Sequence, residues 1–137
     1  MSNPPPVRFL PIPNRYSDAE YLNAVLANAA DAMVIDPNGF TVHTEDSLGE
    51  TALHAAVAWG DIRAVRLLVE AGAEFDKLGD MNCTPMYEAI MFGWSDVAEY
   101  LIEQGANPDI RSDFGDTPKD LARSNGITIN FINEVER

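Results

Sequence analysis

Few side chains in this 137-residue sequence are equipped for chemistry. The histidines are His43 and His54, the sole cysteine is Cys83, and acidic pairs stand at Glu45/Asp46 and Asp113/Asp116. A zinc hydrolase site built on one helix needs imidazoles at HxxxH or HExxH spacing, which His43 and His54 do not have. A thiol nucleophile needs a base or positive charge beside it, and no histidine adjoins Cys83. The acidic pairs would suit calcium, but the regularly spaced oxygen ligands of D-x-[DN]-x-[DN]-G are missing. No GxxxxGK[ST] phosphate loop, GxGxxG fingerprint or G-x-S-x-G elbow occurs. The expectation is therefore no enzyme: no catalytic residue, no cofactor and no metal ligand set.

Charge points elsewhere. Nine Lys and Arg stand against 22 Asp and Glu, a net charge of -13. Such a field repels phosphate backbones and anionic lipids, so neither nucleic acid nor a membrane is an expected partner. A basic protein is. The 46% hydrophobic and 23% charged residues describe one globular domain, long enough to bury roughly 68% of its unfolded surface. A single cysteine excludes an internal disulfide framework and suits a reducing compartment. No apolar run approaches the roughly 20 residues of a membrane helix, and MSNPPPVRFLPIP has no secretion-signal pattern, so a cytoplasmic location is expected.

The elements follow from turn chemistry and periodicity. Pro4, Pro5, Pro6, Pro11 and Pro13 fix φ and favour an extended arm, whose Val7, Phe9, Leu10 and Ile12 could dock on the body. From Asp18 onward short helical periods alternate with Gly, Asn and Asp. A period of 33 residues runs through them: Thr51, Thr84 and Thr117; Gly60, Gly93 and Gly126; Gly39, Gly72 and Gly105. Within one period Thr51 suits a helix N-cap, and Gly60 suits the left-handed residue that ends the helix. Ile62, Ala64, Val65, Leu67, Leu68 and Val69 then predict the apolar face of a second helix, with Arg63, Arg66 and Glu70 outside it. Helices this short are unstable alone, so each unit must bury its flanks on the next, which predicts an all-α solenoid.

The strings GETALHAA (49–56) with GAE (72–74), TPMYEA (84–89) with GAN (105–107), and GDTPKDLA (115–122) resemble the ankyrin repeat family. The resemblance implies helix-turn-helix units with projecting hairpin loops. It divides the chain into a proline-rich arm (1–16), a divergent N-terminal capping repeat (17–45), repeats at 46–78 and 79–111, and a C-terminal capping repeat (112–137). In the first cap Ala27 replaces the inter-helix glycine, and in the last cap Ile129, Phe131, Ile132 and Val135 fit the second helix loosely. The resemblance also implies that His54 hydrogen-bonds loop backbone between repeats, that His43 is solvated, and that Cys83 lies at an exposed loop position. The open ends of such a stack are compatible with a monomer or a paired assembly.

Members of the family resemble one another in binding partners through the loop tips and the outer side of each first helix. Carried onto this sequence, the apolar anchors are Trp59 and Phe92 with Met91, and a column of Leu48, Met81 and Phe114. Glu45, Glu50, Asp80, Asp113 and Asp116 form an acidic rim around them. Trp94 could join this patch or pack on a loop. The function implied is a non-enzymatic protein-interaction module, most specifically an inhibitor or immunity-type protein covering a basic partner such as a nuclease or other toxin. The alternative is an adaptor that links two proteins through the repeat surface and the proline-rich arm.

Overall fold

Helix starts in this chain are set by short polar side chains that satisfy otherwise orphaned backbone N–H groups. Ser17 Oγ accepts from the Glu20 N–H at 3.2 Å while Glu20 returns a carboxylate to the Ser17 N–H at 2.9 Å. Thr84 and Thr117 accept from Tyr87 and Asp120 in the same manner, and Asp61 accepts from Ala64. A computed structural model describes residues 11–130. These caps open α1 (Asp18–Ala32), α3 (Ile62–Glu70), α4 (Pro85–Met91) and α6 (Pro118–Ser124); α2 spans Ala52–Trp59 and α5 Ser95–Glu103. No strand occurs among the described residues.

Stacking follows the repeat. The first helices α2, α4 and α6 pack in one row, and the second helices α3 and α5 in another. Leu53, Val57, Val65, Leu68, Met86, Ile90, Val97 and Leu101 fill the space between rows and are almost fully buried. Each buried leucine of this kind is worth about 2–5 kcal/mol against alanine. Ile62, expected on the apolar face of α3, is exposed instead. It is the first residue of the helix, one turn ahead of Val65, where the stack no longer covers it.

The 17–45 segment departs from helix-turn-helix. One continuous helix, α1, packs on both α2 and α3 and caps the two rows at once. Ala27 sits inside it, because alanine favours helix whereas the glycine at the equivalent position, Gly60, takes a left-handed φ of 70° and stops α2. The chain leaves α1 seven residues later. There the Val34 N–H donates to the Asp31 carbonyl and the Ile35 N–H to the Ala30 carbonyl, closing a Schellman turn around Val34 at φ 56°.

The end of the proline-rich arm is docked. Ile12 and Tyr16 pack against the core, and Arg63 donates to the carbonyls of Asn14 and Tyr16 and to the Asp18 carboxylate. Its guanidinium also lies 4.2 Å from the centroid of the Tyr21 ring. Pro4, Pro5, Pro6, Val7, Phe9 and Leu10, and at the other end Phe131, Ile132 and Val135, lie outside the described residues.

Candidate protein-binding surface

Three turns at equivalent positions project from the stack. Each is closed by a backbone bond at its base: the Asp46 N–H to the Glu50 carbonyl, the Gly79 N–H to the Cys83 carbonyl, and the Ser112 N–H to the Asp116 carbonyl. Neighbouring turns are also tied to each other. The Asp80 N–H donates to Glu50 Oε2 at 3.0 Å, the Asp113 N–H to the Met81 carbonyl at 2.9 Å, and the Asn82 amide to Asp113 Oδ1 at 2.9 Å. The result is a ladder of loops whose spacing is set by hydrogen bonds.

Large apolar side chains stand at the tips of this ladder. Leu48 is 57% exposed, Met81 45% and Phe114 60%. Met81 and Asn82 both have positive φ, 57° and 53°. Asparagine tolerates this conformation, but methionine pays steric strain of order 1 kcal/mol to hold an apolar group in water. Phe114 lies parallel to Tyr87, with centroids 6.2 Å apart, and Tyr87 donates its hydroxyl proton to Asp116 at 2.7 Å.

Met91 and Phe92 are also exposed, but they sit at the far end of α4. An eight-residue first helix is about 12 Å long, so the helix-end residues and the loop tips form two groups on the surface. Trp59, expected as an anchor equivalent to Phe92, is partly buried against the core. Trp94 packs its indole over Gly60 of the preceding unit.

The acidic rim is more structural than its composition implies. Glu45 is paired with Lys77 at 2.8 Å. Glu50, Asp113 and Asp116 each spend carboxylate oxygens on the loop ladder or on Tyr87 and Ser112. Asp80 remains exposed. Between the end of α1 and the first turn a cleft of about 250 Å³ brings Leu48, Glu50 and Asp80 together with Met33, Asp46 and Ala55. Met33 was not foreseeable from the repeat pattern, because it reaches the cleft only when α1 continues past Ala27.

Below the tips lie the groups with perturbed protonation. His54 is buried and bridges two segments: its Nδ1 accepts from the Thr51 N–H at 3.1 Å, and its Nε2 lies 3.0 Å from the Lys77 carbonyl. Burial pushes its pKa down to about 4, so the imidazole is neutral, with the proton on Nε2 directed at Lys77. Cys83 is 3% exposed, contrary to the exposed loop position expected. The turn folds its side chain inward, and burial, followed by the carboxylates of Glu88, Asp80, Glu50 and Asp113, pushes the thiol up to about 12. Such a thiol is no nucleophile at neutral pH. His43 is exposed.

Glu88 belongs to this layer as well. Its carboxyl is buried, and burial together with the charges of Glu50 and Asp80 pushes its pKa up to about 9. The equivalent residue one unit earlier is Ala55, so the repeat pattern carries no signal for a carboxyl here.

Comparison with known proteins agrees with the geometry. Residues 19–112 match the pattern of ankyrin repeats in three copies. Human protein phosphatase 1 regulatory subunit 27 is 41% identical over 81 residues, 59% of this chain and 51% of that protein. Mouse ankyrin repeat and SOCS box protein 16 is 40% identical over 93 residues, 62% of this chain and 20% of its own length. The Drosophila melanogaster E3 ubiquitin-protein ligase Ufd4 is 36% identical over 89 residues, 65% of this chain and 3% of its own length. The chain thus spans about half, or much less, of these curated relatives. No helix among the described residues is long and apolar enough to cross a membrane. With stacked helix pairs, projecting turns and the matched repeats, the chain belongs to the ankyrin repeat family, whose units are protein-interaction modules.

Proposed function

We propose that the chain is a non-catalytic inhibitor or immunity-type protein that covers the functional surface of a basic protein partner. The observation that carries this reading is the column of Leu48, Met81 and Phe114, exposed on turns that are hydrogen-bonded into one rigid ladder. A pre-ordered apolar ridge loses little conformational entropy on binding, and the strain at Met81 is worth holding only where its side chain is used. The net charge of -13 favours a cationic partner and speeds its encounter. A nuclease or other toxin that binds phosphate has such a surface. Similarity to a protein named as a regulatory subunit of a phosphatase supports a partner that is itself an enzyme.

Affinity capture at low salt from lysate of the source cells tests the reading, with wild type run beside a Leu48→Ser/Met81→Ser/Phe114→Ser variant. The expected result is a basic protein retained by wild type, lost by the variant, and inhibited when the wild type is added back. Association should slow when salt is raised to about 0.5 M, where screening shortens to a few Å. Retention by both forms, or an association rate indifferent to salt, refutes it.

An adaptor role is the second reading, favoured by relatives named as ubiquitin ligases in which the matched segment is a small part of a longer chain. It is distinguished by two partners bound at once with no loss of either partner's activity.

A further inference from the structure

The geometry points to a divalent transition-metal site, best suited to zinc(II), formed by Glu50, His54 and Glu88 across the joint between two repeats. One ligand atom from each of the three residues lies within 4.8 Å of the other two. Glu50 comes from the base of the first turn, His54 from the first turn of α2, and Glu88 from α4 of the following unit. No sequence motif announces the set, because its members meet only when the repeats stack.

Three observations argue for a cation rather than a chance cluster. First, Glu88 is 8% exposed, and its Oε1 has no hydrogen-bond partner. A buried carboxyl oxygen left unsatisfied is costly, and at the same position of the preceding unit the fold is content with Ala55. Second, among the described residues no basic side chain forms an ion pair with Glu50 or Glu88: Lys77, whose backbone touches His54, directs its own ammonium to Glu45. The charged groups that act on the cluster are the carboxylates of Asp46 and Asp80 and, more weakly on His54, the Lys77 ammonium. Third, Gly79 lies directly over it. A Cβ at that position would run into Glu50 Oε2 and come within 2.8 Å of His54 Nε2, so only a glycine lets these two ligand atoms sit side by side against the turn.

The ligand chemistry is that of zinc. Glu88 must release its proton to solvent on binding; one imidazole nitrogen and two carboxylate oxygens then leave a fourth position for water, and they suit zinc better than the all-oxygen shells of calcium or magnesium. His54 Nε2 already faces Glu50 Oε2 at 3.9 Å. Atoms that share one tetrahedral zinc at about 2.0–2.2 Å sit about 3.4 Å apart, so ligand atoms separated by up to 4.8 Å must close by as much as about 1.4 Å. To coordinate through Nε2 the imidazole moves its proton to Nδ1, where the Thr51 hydroxyl, 3.0 Å away, becomes the acceptor. The Lys77 carbonyl then loses its donor and the Thr51 N–H its acceptor, so binding the ion costs two hydrogen bonds. The bound ion would staple α2 to α4 at the foot of the loop ladder.

Calorimetry and thermal melting of the metal-stripped full chain with zinc chloride test this, with calcium and magnesium chloride as contrasts. The expected result is one zinc per chain at micromolar or tighter affinity, a raised melting temperature, and no response to calcium or magnesium. Cobalt(II) should give visible absorption bands of a low-coordinate site. Glu88→Gln should weaken zinc at least tenfold while the metal-free protein stays folded, and Glu88→Ala, which copies the preceding repeat, should do the same. His43→Ala should bind as wild type does. Absence of a heat and of a melting shift at 1 mM zinc overturns the inference, as does affinity unchanged in both Glu88 variants, which would place the ion elsewhere.

Discussion

Gly60 and Gly93 offer an internally controlled test of how the repeats lean on one another. Both take left-handed φ, 70° and 84°, at the same point of successive units. A Cβ at Gly93 would meet nothing within 4 Å, whereas one at Gly60 would fall 2.6 Å from Cε2 and 2.8 Å from Cδ2 and Cζ2 of Trp94. Gly93→Ala should therefore cost only the conformational strain, about 1–2 kcal/mol. Gly60→Ala should cost that strain plus displacement of the indole by nearly 1 Å. Overpacking of this kind adds about 1–3 kcal/mol, for a total of about 2–5 kcal/mol. Urea unfolding followed by circular dichroism gives both values, and tryptophan emission should shift to the red in Gly60→Ala alone. A Trp94→Ala background should erase the difference between the two variants. If the two glycine substitutions cost the same within about 0.5 kcal/mol, the indole does not brace the preceding turn and the reasoning fails.

Other expectations concern single sites. Val34 is 91% exposed at φ 56°, so Val34→Gly should raise stability by about 0.5–1 kcal/mol, read as a higher urea midpoint; a loss would mean that the side chain is packed. Tyr21 donates to Asp61 at 2.6 Å, and its phenol is pushed up from 10.0 to about 12, first by burial and then by Asp61. The folded state thus favours the neutral phenol: its contribution is whole below pH 10 and is lost as pH rises through 12, at most about 3 kcal/mol. Melting temperature against pH should fall less steeply between 10 and 12 in Tyr21→Phe, and parallel curves would contradict this. Leu48→Ser and Met81→Ser should each change stability by less than about 1 kcal/mol, against 2–5 kcal/mol for Leu53→Ala; equal costs in denaturant melts would show that the loop tips are core.

Much of the fold is legible along the chain because its turn chemistry repeats. Thr84 and Thr117 cap their helices as their position predicts, and Gly60 and Gly93 end theirs with left-handed φ. The apolar period of α3 marks its buried face apart from Ile62, where the helix begins beyond the cover of the stack. The surface reads less completely. Leu48, Met81 and Phe114 are exposed, but Trp59 and Phe92, alike in register, differ in burial because their neighbours differ. Cys83 turns inward for a reason of the same kind: the side chain of a short turn takes whichever side the adjoining unit leaves open.

What the amino-acid sequence alone determines is local: the 33-residue period, the hydroxyl caps, the glycine stops, the net charge and the family they imply. These are written within a turn or two of the chain, where backbone hydrogen bonds and φ preferences act. Only the tertiary structure decides that α1 runs through Ala27 as one helix, that Glu50 and Asp113 brace the loops, and that Glu88 meets His54 and Glu50. Each of these depends on which residues the next repeat places opposite, and burial, charge crowding and hydrogen-bond partners are properties of that joint and not of either segment.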